Sequence, residues 1–387
     1  MNRFIKFILY VIPCLSLACY DEVLEDKYFT EISMDSIRVN ASYSDIIEEV
    51  NYVVLHGLPD GEGVLHFQKI LKFENGFIGW DDHRHVLYFY DNDGKYIRHI
   101  HAIGAGPREY VEIGDVCYSN KDSTIQLLDR AHFLLKYSLE GEGISKTKLP
   151  ELAANIIVDS IGETVFHSAP KPGDHCVLWK IGQNNTLNCV DLGSHKIYGS
   201  AAYTKQRFSQ IPLSEKIIFN MPHSDIIYSI HNQELHKEYV VNYGEKSHLN
   251  GNHKIDHPVD TYRDENKPGI FSLGRIFSTK SFIVFTQFNN QNSGYWHKPT
   301  NVRPIEYILY SSNYGTFSSH NLQDDKGHFF YWRLRGAYDN VLIHYLSQQD
   351  VNRIIDEQID LRTPSGERVL DLLDNNSEVL MLMKLKE

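Results

Sequence analysis

Residues 87–110 constrain the fold of this chain more than any other segment. They read as a strand, a tight turn on the sequence D-N-D-G, a second strand, and a connector rich in glycine and proline. A weaker copy follows, because Asp129 stands 48 residues after Asp81 and Gly141 stands 47 residues after Gly94. A period of ~40–50 residues that holds four short strands is typical of one blade of a β-propeller.

The rest of the chain fits the same unit. The apolar runs are, blade by blade, 67–73, 77–80, 86–90 and 96–100; 116–118, 125–128, 133–137 and 145–149; 156–158, 164–167, 176–181 and 187–192; 217–220, 226–230 and 238–243; 281–288 and 305–310; and 328–334 with 378–385. We expect residues 50–55 to pair with the C-terminal strand, because closing the ring removes exposed sheet edges. The sequence therefore predicts an all-β fold: a six-bladed β-propeller with four-stranded antiparallel blades, closed by pairing of the N- and C-terminal strands. Residues 351–359 and 369–373 have helical spacing and would decorate the last blade.

Composition agrees with this fold and argues against one class of partner. Aromatic residues make up 12% of the 387-residue chain, and they favour pleated surfaces. The formal charge is −12 and no run of Lys or Arg stands out, whereas nucleic acid demands a basic face. We therefore expect that the protein does not bind nucleic acid; we also expect a monomer.

The N-terminus has the features of an export signal. Arg3 and Lys6 precede an apolar run over residues 7–18, and small residues surround a cleavage point just before Cys19. The run is too short to span ~30 Å of hydrocarbon. A Cys at this place resembles the lipobox of bacterial lipoproteins, which implies acylation of Cys19; ordinary cleavage after Ala18 is the alternative. We expect a signal peptide over residues 1–18, a lipid anchor and mobile tether over 19–40, and the propeller over 41–387.

The connector G-A-G-P-R-E-Y after D-N-D-G-K-Y-I-R-H-I, together with the terminal E-V-L-M-L-M-K-L, carries a family resemblance. These motifs resemble those of six-bladed β-propeller lipoproteins of Gram-negative envelopes, which are related in shape to NHL and TolB-like propellers. The family connector usually has glycine where this chain has Arg108. The resemblance implies an outer-membrane lipoprotein, periplasmic or surface-facing, and does not define a ligand.

Few residues in the repeat itself suggest chemistry. The D-N-D-G sequence begins like a calcium loop but lacks the later ligands, so a hairpin turn accounts for it. His83 with His85, and His99 with His101, have the i, i+2 spacing that would place two side chains on one strand face. No acidic partner is fixed beside them, so the sequence predicts no metal and no cofactor, with a divalent ion such as calcium unsupported.

Two places are candidates for ligand binding. In residues 289–304, which interrupt the fifth blade, Tyr295 and Trp296 offer a stacking platform beside Asn292 and His297. Packing of the two rings against a neighbouring blade is the alternative. In the connector, Arg108 could bind an anionic group at the propeller mouth.

The cysteines and the missing nucleophile motifs leave two questions open. Beyond position 19 the chain has Cys117, Cys176 and Cys189, and Cys176 could bridge Cys189 or remain a free thiol. The motifs G-x-S-x-G, H-E-x-x-H and S-x-x-K are absent from the sequence. We therefore expect an envelope-anchored binding module for a glycan, a peptide or a partner protein. The alternative is a propeller lyase or hydrolase with His and carboxylate residues at the channel mouth.

Overall fold

The structure is a computed structural model, and it describes residues 29–58, 65–149, 153–168, 176–181, 187–191, 206–212, 214, 216–222, 224–231, 234–246, 270–289, 305–323, 325, 333–347 and 378–387. The chain begins with β1 (Thr30–Ser33), a 3-10 turn (Met34–Ser36), a short helix α1 (Tyr43–Ile46) and β2 (Ile47–Leu55). Blade 1 contains β3 (Phe67–Phe73), β4 (Gly76–Asp81), β5 (Val86–Asp91) and β6 (Tyr96–Ile100). Blade 2 contains β7 (Ile113–Ser119), β8 (Thr124–Asp129), β9 (Phe133–Ser138) and β10 (Gly143–Lys148).

The remaining blades follow in chain order. Blade 3 contains β11 (Ala153–Val158), β12 (Thr164–Ser168), β13 (Cys176–Ile181) and β14 (Leu187–Asp191). Blade 4 contains β15 (Phe208–Gln210), β16 (Ile217–Asn220), β17 (Ile226–His231) and β18 (Glu234–Asn242), followed by a 3-10 turn (Gly244–Lys246). Blade 5 contains β19 (Ile270–Ser278), β20 (Ile283–Asn289), β21 (Ile305–Ser311) and β22 (Gly315–Ser318). Blade 6 contains β23 (Leu334–Tyr338), β24 (Val341–Leu346) and β25 (Glu378–Leu385), with β2 as its fourth strand.

The six sheets form a ring, so the predicted six-bladed β-propeller is confirmed. Within each blade the strands of the repeat pair antiparallel in sequence order, and the first strand of each blade contacts the first strands of its neighbours. The first strands therefore surround the axis. Among the described helices, none is long and apolar enough to cross a membrane.

The ring is closed as predicted. Strand β2 pairs antiparallel with β25, in a register that runs from Ile47 opposite Leu385 to Leu55 opposite Glu378. Blade 6 is thus assembled from both ends of the described chain. This pairing covers an edge of β25 that would otherwise be open to aggregation.

The start of the described chain differs from the prediction of a mobile tether that ends at residue 40. Strand β1 pairs parallel with β18 and becomes a fifth strand of blade 4, with Ile32 fully buried. The backbone N–H of Arg38 then donates to the carbonyl of Thr316 in blade 5 at 3.0 Å. A single buried residue in a polar segment leaves no period for sequence reasoning to detect. Residues 1–28, including Cys19, lie outside the described residues.

Several strands of blades 4 to 6 escaped the sequence pattern. Strands β15, β19, β22 and β24 were not predicted, and the first strand of blade 6 begins at Leu334 instead of ending there. Residues 351–359 and 369–373, with the predicted helical spacing, lie outside the described residues. Cys189 is disulfide-bonded, the side chain of Cys176 is not among those described, and Cys117 is a buried free thiol.

Apolar side chains fill the space between blades, and a polar pair joins the blades close to the axis. Lys69 of β3 donates to Asp115 of β7 across 3.0 Å, and both side chains are buried. The second oxygen of Asp115 accepts the backbone N–H of Ile156 in β11 at 2.9 Å. One carboxylate therefore links the inner strands of three successive blades.

Candidate functional site

One end of the ring carries the side chains that are candidates for binding or catalysis. Because pairing is antiparallel, the start of each inner strand and the turn between the second and third strands lie at the same end of a blade. We call this end of the ring the entrance face. His66 lies just before β3, and Asp82 and His83 lie in the turn between β4 and β5. Arg335 lies at the start of β23, and Glu378 begins β25, so blade 6 contributes to the same face.

A buried carboxylate at the end of β4 holds two segments of this face together. Asp81 is 1% exposed. One of its oxygens accepts the backbone N–H of His66 at 3.0 Å, and the other accepts those of His83 and Arg84, each at 3.0 Å. Hydrogen bonds from backbone N–H groups to an ionised carboxylate are among the stronger ones in proteins. The backbones of His66 and His83 are therefore fixed by a common partner.

The side chains that these backbones carry form a compact cluster with Asp82. The rings of His66 and His83 are stacked, with centroids 4.4 Å apart and planes 8° apart. Oδ1 of Asp82 lies 3.8 Å from Nδ1 of His66 and 3.9 Å from Nε2 of His83. Nδ1 of His66 is buried and has no hydrogen-bond partner in the described structure. Burial, and then the charge of Arg333, lower the pKa of His66, so its ring is neutral at neutral pH.

Of the two histidine pairs suggested by spacing, His83 with His85 does not form, whereas the rings of His99 and His101 contact each other. His83 meets His66, while His85 has a positive φ of 56° and directs Nε2 to within 4.0 Å of Glu112. Strand β5 begins only at Val86, so the i, i+2 rule for strand faces does not apply to His83 and His85. The rings of His99 and His101 lie 6.5 Å apart. Spacing in sequence missed His66 because the hairpin of β3 and β4 brings it back beside the turn.

A buried arginine at the entrance face has no partner for its charge. The pairing of β23 and β24 leaves Arg335 as the extra residue of a β-bulge, and its side chain is only 7% exposed. Nε is buried without an acceptor, and among the described residues Arg335 makes no ion pair. Burial, and then the charges of Arg275 and Arg333, lower the pKa of Arg335 to about 9. Arg335 is therefore charged at neutral pH, in a protein whose net charge is −12.

Blade 6 also anchors the segment that carries His66. Oε1 of Glu378 accepts the backbone N–H of Leu65 at 2.5 Å, and the hydroxyl of Tyr345 donates to the carbonyl of Leu65 at 2.8 Å. Burial raises the pKa of Glu378 to about 7. The connector between the closing blade and blade 1 is thus held by a carboxyl group that titrates near neutral pH.

A cavity of about 590 Å³ occupies the channel towards the opposite end of the inner strands. Its lining includes Lys72, Glu74, Tyr118 and Tyr338. The amine of Lys72 already donates to Asn92 at 3.1 Å and lies 5.9 Å from the ring centre of Tyr338. Burial raises the pKa of Cys117, which also lines this cavity, so its thiol is unreactive. The amine of Lys72 is thus satisfied by the protein itself, unlike the guanidinium of Arg335.

Of the sequence-predicted ligand residues, only Arg108 lies within the described part of the chain. Arg108 is exposed in the connector between blades 1 and 2, where its carbonyl accepts the hydroxyl of Tyr137 at 2.6 Å. The strands that flank residues 290–304 are β20 and β21 of blade 5, across the ring from blade 2. Asn292, Tyr295, Trp296 and His297 themselves lie outside the described residues. Sequence reasoning missed Asp82, Arg335 and Glu378, of which only Asp82 stands beside a position that repeats in the next blade.

Comparisons with known proteins support the fold. A family model described as "Domain of unknown function (DUF4934)" matches residues 30–384. A protein of Bacteroides fragilis inferred to be exported has 14% identity and a TM-score of 0.69, over 93% of this chain and 100% of that one. A DUF4221 member from Bacteroides vulgatus has 11% identity and a TM-score of 0.55, over 90% of this chain and 100% of that one.

Two further results limit what can be carried over. Virginiamycin B lyase from Staphylococcus aureus has 11% identity and a TM-score of 0.40, over 70% of this chain and 88% of that one. This similarity is too low to support an argument about activity. The chain matches none of the curated proteins.

Proposed function

We propose that this chain, which belongs to the DUF4934 family, is an envelope-anchored binding module that takes an acidic glycan at the entrance face of its propeller. The observation that carries the proposal is the buried, unpaired guanidinium of Arg335. A buried charge without a partner is costly, and an anionic group of a ligand would offset that cost. Arg275, whose charge also acts on Arg335, would add to the attraction.

The choice of a glycan rests on the sequence that joins β20 to β21 in the blade next to blade 6. Strand β20 ends and β21 begins at the entrance face of blade 5, the neighbour of blade 6. The segment that joins them contains Tyr295, Trp296, Asn292 and His297. Aromatic rings stack on sugar faces, amides bond hydroxyl groups, and arginine forms paired hydrogen bonds with carboxylates or sulfates. An acidic glycan would use all three kinds of group.

An enzyme of the same shape is the second candidate, and one observation favours it. His66, Asp82 and His83 converge at the entrance face, close enough to Arg335 for its charge to act on His66. All three residues come from blade 1 and the connector before it. They therefore do not form the site shared between several blades that a propeller lyase or hydrolase would need. Mass spectrometry of an acidic polysaccharide after incubation with the protein separates the two: shortened or unsaturated products favour the enzyme.

The proposed location follows from the N-terminal sequence. The basic residues, the apolar run over 7–18 and Cys19 support export and acylation, and the family resemblance supports an outer-membrane lipoprotein. We expect Cys19→Ala to move the protein from the membrane fraction to the soluble fraction after cell lysis. Unchanged membrane association would refute acylation at Cys19.

A glycan array probed with the full chain tests the ligand. We expect binding to uronic or sulfated glycans, reduced at least roughly tenfold by Arg335→Met, which keeps the volume of the side chain and removes its charge. The matched control is Arg38→Gln, which removes an exposed arginine that packs against blade 5, and it should leave binding unchanged. Trp296→Ala should weaken binding of the same glycans if the indole ring of Trp296 stacks on them.

Three outcomes would overturn the proposal. Binding to peptides alone would exclude a glycan ligand. Full binding by Arg335→Met, with a circular dichroism spectrum equal to that of the parent, would exclude the entrance face. Loss of binding in Arg108→Gln alone would place the anionic site at the connector between blades 1 and 2.

A further inference from the structure

We propose that His66, Asp82 and His83 form a binding site for a divalent transition-metal ion, with zinc as the best match. This site goes beyond the proposed glycan binding and does not depend on it. Two imidazoles and one carboxylate are ligands that zinc accepts, whereas calcium prefers oxygen ligands alone. Three protein ligands with a fourth position open to solvent is the arrangement of sites at which zinc binds a further molecule.

The distances in the cluster are close to those that zinc requires. Around a tetrahedral ion with bonds of about 2.1 Å, neighbouring ligand atoms lie about 3.4 Å apart. Oδ1 of Asp82 lies 3.8 Å and 3.9 Å from the nearest nitrogens of His66 and His83, and all three ligand atoms lie within 4.8 Å of one another. Closing on an ion requires small movements and a tilt of the stacked His83 ring. The side chain of His83 is 69% exposed, so this ring is free to tilt.

An independent observation points to a missing ligand at this place. Nδ1 of His66 is buried and has no hydrogen-bond partner within the described part of the chain. Leaving a buried polar atom unsatisfied costs free energy, and a metal ion would use its lone pair. The same Asp81 carboxylate fixes the backbones of His66 and His83, so two of the three ligands are already positioned.

The turn does not need this trio for its own stability. In blade 2 the residues at the corresponding places are Glu112 and Arg130, which form an ion pair at 2.8 Å. The same backbone corner is therefore compatible with a closed pair of opposite charges. In blade 1 the corner instead carries three potential metal ligands.

The charges around the cluster set the expected strength. Arg333 and Arg335 act on His66 and oppose a cation, while the carboxylates of Asp81 and Asp82 favour one. We therefore expect weaker binding than at a structural zinc site with four protein ligands. The fold should not depend on the ion.

Isothermal titration of the purified full chain with Zn²⁺ tests the site. We expect one ion per chain, and a loss of affinity of at least roughly tenfold in each of His66→Gln and Asp82→Asn. The matched control is His101→Gln, which removes an exposed histidine outside the cluster and should leave the affinity unchanged. The double substitution His66→Glu with Asp82→Arg copies the blade 2 pair and should abolish binding.

Folding of each variant is checked by its thermal unfolding temperature without metal, which should equal that of the parent. Zn²⁺ should raise that temperature in the parent and in His101→Gln, and not in the double variant. Equal affinity of the parent and the double variant would overturn the proposal. A loss of affinity in His101→Gln as large as that in His66→Gln would also overturn the proposal, because it would show that Zn²⁺ binds scattered surface histidines.

Discussion

The corresponding corners of blades 1 and 2 share a backbone design and differ in what fills it. In both, an Asp ends the second strand: Asp81 in blade 1 and Asp129, 3% exposed, in blade 2. Oδ1 of Asp129 accepts the backbone N–H groups of Val111 at 3.2 Å, Glu112 at 3.3 Å and Ala131 at 3.1 Å. Both carboxylates thus tie the connector before the blade to the turn within it.

The side chains around this tie take different roles in the two blades. Blade 2 closes its corner with the ion pair of Glu112 and Arg130, which satisfies both charges. Blade 1 places His66, Asp82 and His83 there, and leaves Nδ1 of His66 without a hydrogen-bond partner among the described residues. The repeated Asp therefore specifies the fold of the corner, while the neighbouring positions are free to acquire chemistry.

The largest expected effect comes from removing the shared carboxylates. Asp81→Ala should lower the free energy of unfolding by about 3 kcal/mol or more, since it leaves three partly buried backbone N–H groups without their acceptor, and Asp129→Ala by about 2–3 kcal/mol. The loss of stability is larger for Asp81→Ala because Asp81 also contacts the guanidinium of Arg84 at 3.4 Å. Urea unfolding measures both. Losses below about 1 kcal/mol would show that the corner does not depend on the carboxylate, and the Asn variants serve as isosteric controls.

The second-largest expected effect is a pH dependence of the free energy of unfolding, which should come from the blade 1 corner and not from the blade 2 corner. Glu378 of blade 6 binds the connector of blade 1, and its pKa is raised from 4.5 to about 7. Because the folded state holds the proton more tightly, this group stabilises the fold below pH 4.5, and its contribution is lost as the pH rises towards 7. The loss is about 3 kcal/mol in all.

The measurement for this prediction is urea unfolding at pH 4.5, 6 and 8 for the parent and Glu378→Gln. The variant should lack the part of the pH dependence that Glu378 causes. Identical pH profiles would contradict the role of its carboxyl group. Glu112→Gln, at the corner of blade 2, is the control and should keep the profile of the parent.

The smallest effect is expected for the ion pair that fills the blade 2 corner. The side chains of Arg130 and Glu112 are 54% and 34% exposed, and water weakens such pairs. Arg130→Ala should change the free energy of unfolding by about 0.5 kcal/mol, measured by urea unfolding at low and high salt. A loss above about 2 kcal/mol would show that the pair supports the corner as much as Asp129 does.

The sequence was most informative where turn chemistry is local. Gly94 and Gly141 have positive φ angles of 84° and 89°, as hairpin turns at those places require. The carboxylate of Asp91 accepts the N–H groups of Asp93 and Lys95, which explains the calcium-like motif as a turn. Glu109 accepts the N–H of Gly106, as a structural role for the connector predicts. These contacts join residues close in sequence, so their pattern shows in the residues themselves.

The later blades and the entrance face could not be predicted in the same way. Long connections, such as the segments between β18 and β19 and between β24 and β25, break the period of 47 residues that located the first blades. Arg335 lies near His66 only because closure of the ring makes blade 6 a neighbour of blade 1. A residue such as Arg335 has no local sign of burial, since its position depends on a bulge in the strand.

The outermost strand of blade 4 affects how the molecule would sit on a membrane. Strand β1 runs along the rim of the ring, and Cys19 precedes its first residue by 11 positions. A fully extended chain of that length spans at most about 40 Å. A lipid at Cys19 would therefore keep the outer edge of blade 4 close to the membrane surface, with the ring attached by its rim. Neither opening of the channel would need to face the bilayer, and large polymers could reach the entrance face from the side.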